Sequence, residues 1–174
     1  PLFAARSGAG GVSLTDLLIR SSKYLFLILF PLSLAIVLFA PEILEVWLGP
    51  EFRRQSSQVL QWLTIGTIAG SLAQIPLTLL QGVGHSGVAA KIHLVELAPY
   101  SVAMIAGVSL GGINGAAIVW TTRALLDMLA MYAWANRALG LGLSPEPKLA
   151  GFLFLVAGAF ALAFLVGTAA AKWI

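Results

Sequence analysis

The chain has 174 residues, 59% of them hydrophobic and only 10% charged, with a net charge of +3 and a mean hydropathy of +0.95. A soluble domain of this length has no core large enough to hide so much apolar surface. Having no cysteine excludes thiolate metal sites and disulfide frameworks, His85 and His93 are isolated from any second ligand pair, and the scattered basic residues make no nucleic-acid footprint.

Five apolar stretches run through roughly Tyr24–Ala40, Ser57–Leu80, Val88–Leu110, Gly115–Ala138 and Leu149–Ala171. A hydrocarbon layer about 30 Å thick takes about 20 residues of helix to cross, and these stretches meet or approach that length. Membrane strands alternate apolar and polar residues, whereas the runs here are unbroken. Helices satisfy every backbone group internally, as lipid demands. The expected fold is an all-α membrane protein, a helical bundle of about five transmembrane helices.

In chain order, Pro1–Gly11 reads as the end of one element and a glycine-rich loop, the inside of a longer protein. No basic start and short apolar core stand there from which a signal peptide can be assessed. Ser13–Lys23 forms an amphipathic lead-in, with Ser13 as N-cap, Asp16 three residues on, and Leu14, Leu17 and Leu18 on one face. The first span holds Pro31, which membrane helices tolerate. Pro41 ends it and opens a short amphipathic turn over Glu42–Leu48, closed by Gly49 and Pro50, after which Glu51, Arg53 and Arg54 make a wet connection.

The second span carries Gln58, Gln61, Gln74, Gln81 and Pro76, so one face is polar and turned away from lipid. Gly82–Gly87 is a tight glycine turn. The third span contains Lys91, His93, Glu96 and Pro99, and an uncharged turn over Gly111–Gly115 leads to the fourth, with Arg123 and Asp127 near its middle. A polar loop from Arg137 to Lys148 precedes a last, purely apolar span.

Basic residues in alternate loops set the orientation. Arg6, Arg20, Lys23, Lys91, Arg137 and Lys148 fall on one side, and Arg53, Arg54 and Lys172 on the other. This bias puts the Gly82–Gly87 turn in the cytoplasm, Trp47 and Trp62 near the outer interface and Trp134 near the inner one.

Ionisable groups within a span cost about 2.5–3.5 kcal/mol each on insertion scales and so face protein or water. Glu96, Arg123 and Asp127 are the candidates. Arg123 and Asp127 are four apart and can meet directly. Glu96 and Asp127 lie at depths of roughly 14 and 16 Å from the same side, and the tight turn makes their helices antiparallel, so the three can cluster. The cluster has two readings: a polar cavity in which Arg123 meets an anionic group while a carboxylate takes protons or orients the arginine, or a neutralised pair that joins helices. Glu96 with His93 can likewise be a proton site or a packed polar contact. Gln74, Gln81 and Asn114 can hydrogen-bond sugar hydroxyls or bridge helices, and Pro31, Pro76 and Pro99 can be bending points or static kinks.

Several segments together resemble the C-terminal half of the polysaccharide transporter (oligosaccharide flippase) family, within the multidrug/oligosaccharidyl-lipid/polysaccharide exporter superfamily. Pro1–Ala4, the glycine loop and Leu17–Lys23 look like the loop between the second and third helices of the second lobe. Ala40-Pro41-Glu42-Ile43-Leu44-Glu45-Val46-Trp47-Leu48-Gly49-Pro50-Glu51-Phe52 is similar to the family's outer turn. Leu72–Gly84, with Pro76, is similar to the next helix and its Gly-x-Gly-basic turn, His85 standing in the basic position. Gly111–Ala117 resembles the start of the following helix.

The resemblance covers about residues 1–140. It implies four helices of the C-terminal lobe of a two-lobed transporter, with 141–174 as a linker and an additional transmembrane helix. It further implies alternating-access flipping of an undecaprenyl-diphosphate-linked glycan across the bacterial inner membrane, with the N-terminal lobe and a coupling cation as further partners and no cofactor. A cationic residue in the cavity would meet the diphosphate or acidic sugars, and Arg123 is the arginine at suitable depth. A cation-coupled drug exporter of the same superfamily would want carboxylates without a central arginine. A membrane-embedded glycan-processing enzyme would need polar catalytic loops with paired carboxylates or histidines, and the outer loops here are short.

Overall fold

The computed structural model describes residues 13–141. The expected loop at the start, residues 142–148 of the polar loop and the fifth span at Leu149–Ala171 lie outside the described residues, while residues 137–139, expected to open that loop, instead complete the last described helix.

Helix α1, Leu14–Leu38, is capped by Ser13, whose side chain accepts the Asp16 N–H at 3.0 Å. The cap satisfies one of the first-turn donors that a helix cannot pair internally. The lead-in and the first span are one continuous helix, because nothing between Lys23 and Tyr24 breaks the backbone ladder. Pro31 lies inside it without ending it.

Helix α2, Ala40–Leu48, starts with Pro41 in its first turn, where the missing N–H is not needed. The same proline deprives the Val37 carbonyl of its helical donor, since residue 41 would have supplied it. Gln61 fills the gap, its Nε2 donating to the Val37 oxygen at 3.0 Å from a side chain that is 2% exposed. Gly49, with φ 97° and ψ 172°, turns the chain between α2 and α3 in a conformation that favours glycine.

Helix α3, Pro50–Gly82, is the centre of the molecule. Its buried side, including Ile65, Ile68, Ala69, Leu72 and Ala73, packs with Phe26 and Val37 of α1 and with Met128 and Met131 of the last helix in one core cluster. The expected polar face is split. Gln61 is buried, while Thr67, Gln74, Thr78 and Gln81, with half-buried Ser71 among them, form an outward stripe at alternating spacings of three and four. The hydroxyls of Thr67, Ser71 and Thr78 donate to carbonyls one turn back at 2.7–2.8 Å, which lowers their cost in an apolar setting.

Helix α4, Gly87–Leu139, is interrupted at Gly112, where φ 57° and ψ −138° take the chain out of the helix. A straight helix of 53 residues would reach about 80 Å, far beyond one bilayer crossing. Instead the two arms fold back on each other. Gly107 and Gly115 cross so closely that a methyl on Gly115 would overlap the Gly107 carbonyl, and one on Gly107 would lie 2.7 Å from Val119 Cγ2. The five-residue turn expected at Gly111–Gly115 is thus a single non-helical residue. The second arm packs on α3, where Thr121 Oγ1 donates to the Trp62 carbonyl at 2.7 Å and the Trp120 ring lies over Gly66. Trp62 is accordingly a core-packing residue, whereas Trp47 is 82% exposed.

Three helices in the described residues are long and apolar enough to cross a membrane. The third of them supplies two of the expected spans by folding back. The chain is an all-α, multi-pass membrane protein.

Candidate functional site

The hairpin of α4 brings Glu96, Arg123 and Asp127 together because residues mirrored about position 111 face one another. Arg123 Nε stands 3.5 Å from Glu96 Oε2, and the guanidinium lies 4.8 Å from the centre of the Tyr100 ring, a cation–π contact. His93 Nδ1 is 3.8 Å from both Glu96 Oε2 and Asp127 Oδ1. The expected direct contact between Arg123 and Asp127 is replaced by contacts across the hairpin. Glu96 and the Tyr100 face draw the arginine to the opposite arm and leave Asp127 to His93.

The Arg123 side chain is 34% exposed, and those of Glu96 and Asp127 are 22% and 19% exposed. The arginine is therefore neither sealed in the core nor extended along the helix to a distant end. It borders a groove of about 270 Å³ lined also by Pro99, Tyr100, Val119 and Leu126. Glu96 Oε2 and Asp127 Oδ1 are both shut off from solvent and lack a hydrogen-bond partner. Two carboxyl groups thus share one guanidinium and one imidazole.

Such an arrangement can exchange partners. An incoming anion can compete with Glu96 for the guanidinium, and a cation can compete with Arg123 for the carboxylates. Tyr100 is the member that spacing alone did not pick out, although its position opposite Arg123 follows once the reversal at Gly112 is given. Asn114, at the hairpin tip, has a buried Oδ1 without a partner and stands apart from the cluster. Gln74 and Gln81 belong to the outward stripe of α3.

At the end of the bundle formed by α2 and the start of α3, Arg53 is paired with Glu45 and Arg54 with Glu51 at 3.2 Å. These pairs border a wide groove of about 830 Å³. Glu45 and Glu51 are thus partly neutralised by their own basic neighbours.

No family profile matches the chain, and no solved structure does. Over 112 residues, 64% of the chain, it is 35% identical to the protein named "Putative O-antigen transporter" of Shigella flexneri. The match spans 27% of that curated relative's length. With the motifs described above, this similarity supports a likeness to the polysaccharide transporter family.

Proposed function

We propose that the chain supplies part of the C-terminal lobe, over residues 1–140, of a transporter that flips an undecaprenyl-diphosphate-linked oligosaccharide across the bacterial inner membrane by alternating access. The chain acts as a carrier in this reading and not as an enzyme. Its partners are the bilayer, the lipid-linked glycan, a coupling cation and the N-terminal lobe of the same protein. The carrying observation is the Arg123 guanidinium, partly exposed beside a groove in the α4 hairpin and held by one carboxylate and one ring face.

An arginine fork suits the diphosphate, because it presents several donors in a plane to two oxygens. Glu96 holds it until the anion arrives, and Asp127 with His93 keeps a second charge in reach. The outward stripe of Thr67, Ser71, Gln74, Thr78 and Gln81 offers hydroxyls and amides to the sugars. The relative's printed name supports a glycan as the cargo.

The test is complementation with the full-length gene in a strain lacking it, scored by surface polysaccharide. Arg123→Ala should reduce polysaccharide at least tenfold while the protein remains in the membrane at its normal level, and Arg123→Lys should keep part of it. Wild-type polysaccharide from Arg123→Ala would refute the role of this arginine.

A further inference from the structure

We propose that His93, Glu96 and Asp127 form a binding site for a borderline divalent cation of the Zn²⁺ class, which ties the two arms of α4 together. Such a site is separate from transport and occupies the carboxylates when Arg123 does not hold them.

One ligand atom from each of the three residues lies within 4.8 Å of the others. His93 Nδ1 is 3.8 Å from each carboxylate oxygen, too far for a hydrogen bond. Zn–N and Zn–O bonds of about 2.0–2.2 Å place tetrahedral ligands about 3.4 Å apart. The two histidine distances exceed this by a few tenths of an ångström, while the widest pair, within 4.8 Å, must draw in further, a closure that side-chain rotations across the hairpin would supply.

A second, independent observation points the same way. Asp127 Oδ1, which faces His93, is buried without a hydrogen-bond partner, and Glu96 Oε2, buried likewise, has only the 3.5 Å ion contact with Arg123. A buried acceptor without a donor is costly, and one cation would satisfy both. Imidazole in the donor set favours Zn²⁺ and its neighbours over Mg²⁺ or Ca²⁺, which prefer oxygen alone. The ligands come from both arms, His93 and Glu96 from the first and Asp127 from the second, so a bound ion acts as a clasp across the hairpin. The open fourth position would go to water.

Arg123 is the built-in competitor, since its Nε lies 3.5 Å from one of the ligand oxygens. Binding the ion takes Glu96 from the guanidinium and leaves Arg123 uncompensated beside its groove. Removing the arginine should therefore tighten the site.

The experiment uses the intact, untagged protein in nanodiscs, with Co²⁺ as the spectroscopic probe and Zn²⁺ as its competitor. The wild type should give the intense visible bands of low-coordinate Co²⁺, abolished by one equivalent of Zn²⁺. His93→Gln and Asp127→Asn should each weaken Zn²⁺ binding at least tenfold, Arg123→Gln should strengthen it severalfold, and His85→Gln should leave it unchanged. Where His93→Gln does not fold, His93→Cys replaces it and should add a thiolate-to-cobalt charge-transfer band in the near ultraviolet. A wild-type spectrum like that of the aqueous ion would overturn the proposal. So would variants at His93 and Asp127 that bind as the wild type does, or a His93→Cys protein without the charge-transfer band. Loss of polysaccharide export in Arg123→Ala with no ion bound to the wild type would retain the transport reading and reject this site.

Discussion

The crossing of the α4 arms rests on the absence of two side chains, and Gly115→Ala probes it directly. A methyl at 115 would run into the Gly107 carbonyl. That carbonyl is backbone, so no rotamer change relieves the overlap and the arms must separate. Overpacking of this kind costs about 1–3 kcal/mol, and a rigid neighbour puts the cost near the upper end. The better helix propensity of alanine offsets about 1 kcal/mol. The net loss is about 2 kcal/mol, which for a chain of this size corresponds to a fall in Tm of roughly 4–8 °C. Scanning fluorimetry of the purified protein, followed through its tryptophans, reads the change. Gly70→Ala is the matched control, because a methyl there meets nothing within 4 Å. That variant should keep or slightly raise the Tm. An unchanged Tm in Gly115→Ala would refute the close crossing and with it the register that aligns Glu96 with Arg123.

Two further contacts can be tested for how α3 holds its neighbours. Gln61→Leu should cost about 1–3 kcal/mol by leaving the Val37 carbonyl without a donor. Adding Pro41→Ala restores a backbone N–H near that carbonyl and should recover part of the loss, a coupling measurable in a double-mutant thermal-stability cycle. Additive effects would show that the Gln61 amide does not compensate for the proline. Thr121→Val removes the 2.7 Å bond to the Trp62 carbonyl and should cost about 0.6–1.7 kcal/mol, the range for hydrogen bonds between membrane helices. Thr121→Ser should restore stability, and equal Tm values for the two variants would count against the bond.

Punctuation and caps were legible in the sequence because they act locally. Ser13 caps α1, Pro41 and Pro50 open helices, and Gly49 takes a positive φ, each for reasons contained within a few residues. Long-range register was only partly legible. Counting depths from the cytoplasmic side brings Glu96 level with Asp127, but spacing on one helix also favours a pair between Arg123 and Asp127. Which partner Arg123 takes depends on the width of the turn, and that width is set by the contact of Gly107 with Gly115 across the hairpin. The glutamines of α3 show the same limit. Composition marks the helix as polar, while only packing decides that Gln61 turns inward to a carbonyl orphaned 24 residues earlier. Pro41 announces that an acceptor will lack its donor, but nothing local says which side chain will answer.

Because Gly112 alone joins the two rods of α4, it acts as a pivot rather than a tether. The ionisable groups sit 11 to 19 residues from it along the rods, levers of roughly 16–28 Å with a mean of about 23 Å. An opening of about 10° at the pivot would part the rods there by about 4 Å, comparable to the separations now linking Arg123 with Glu96 and His93 with Asp127. A small swing at one glycine is thereby geared to make or break every polar link at the far end.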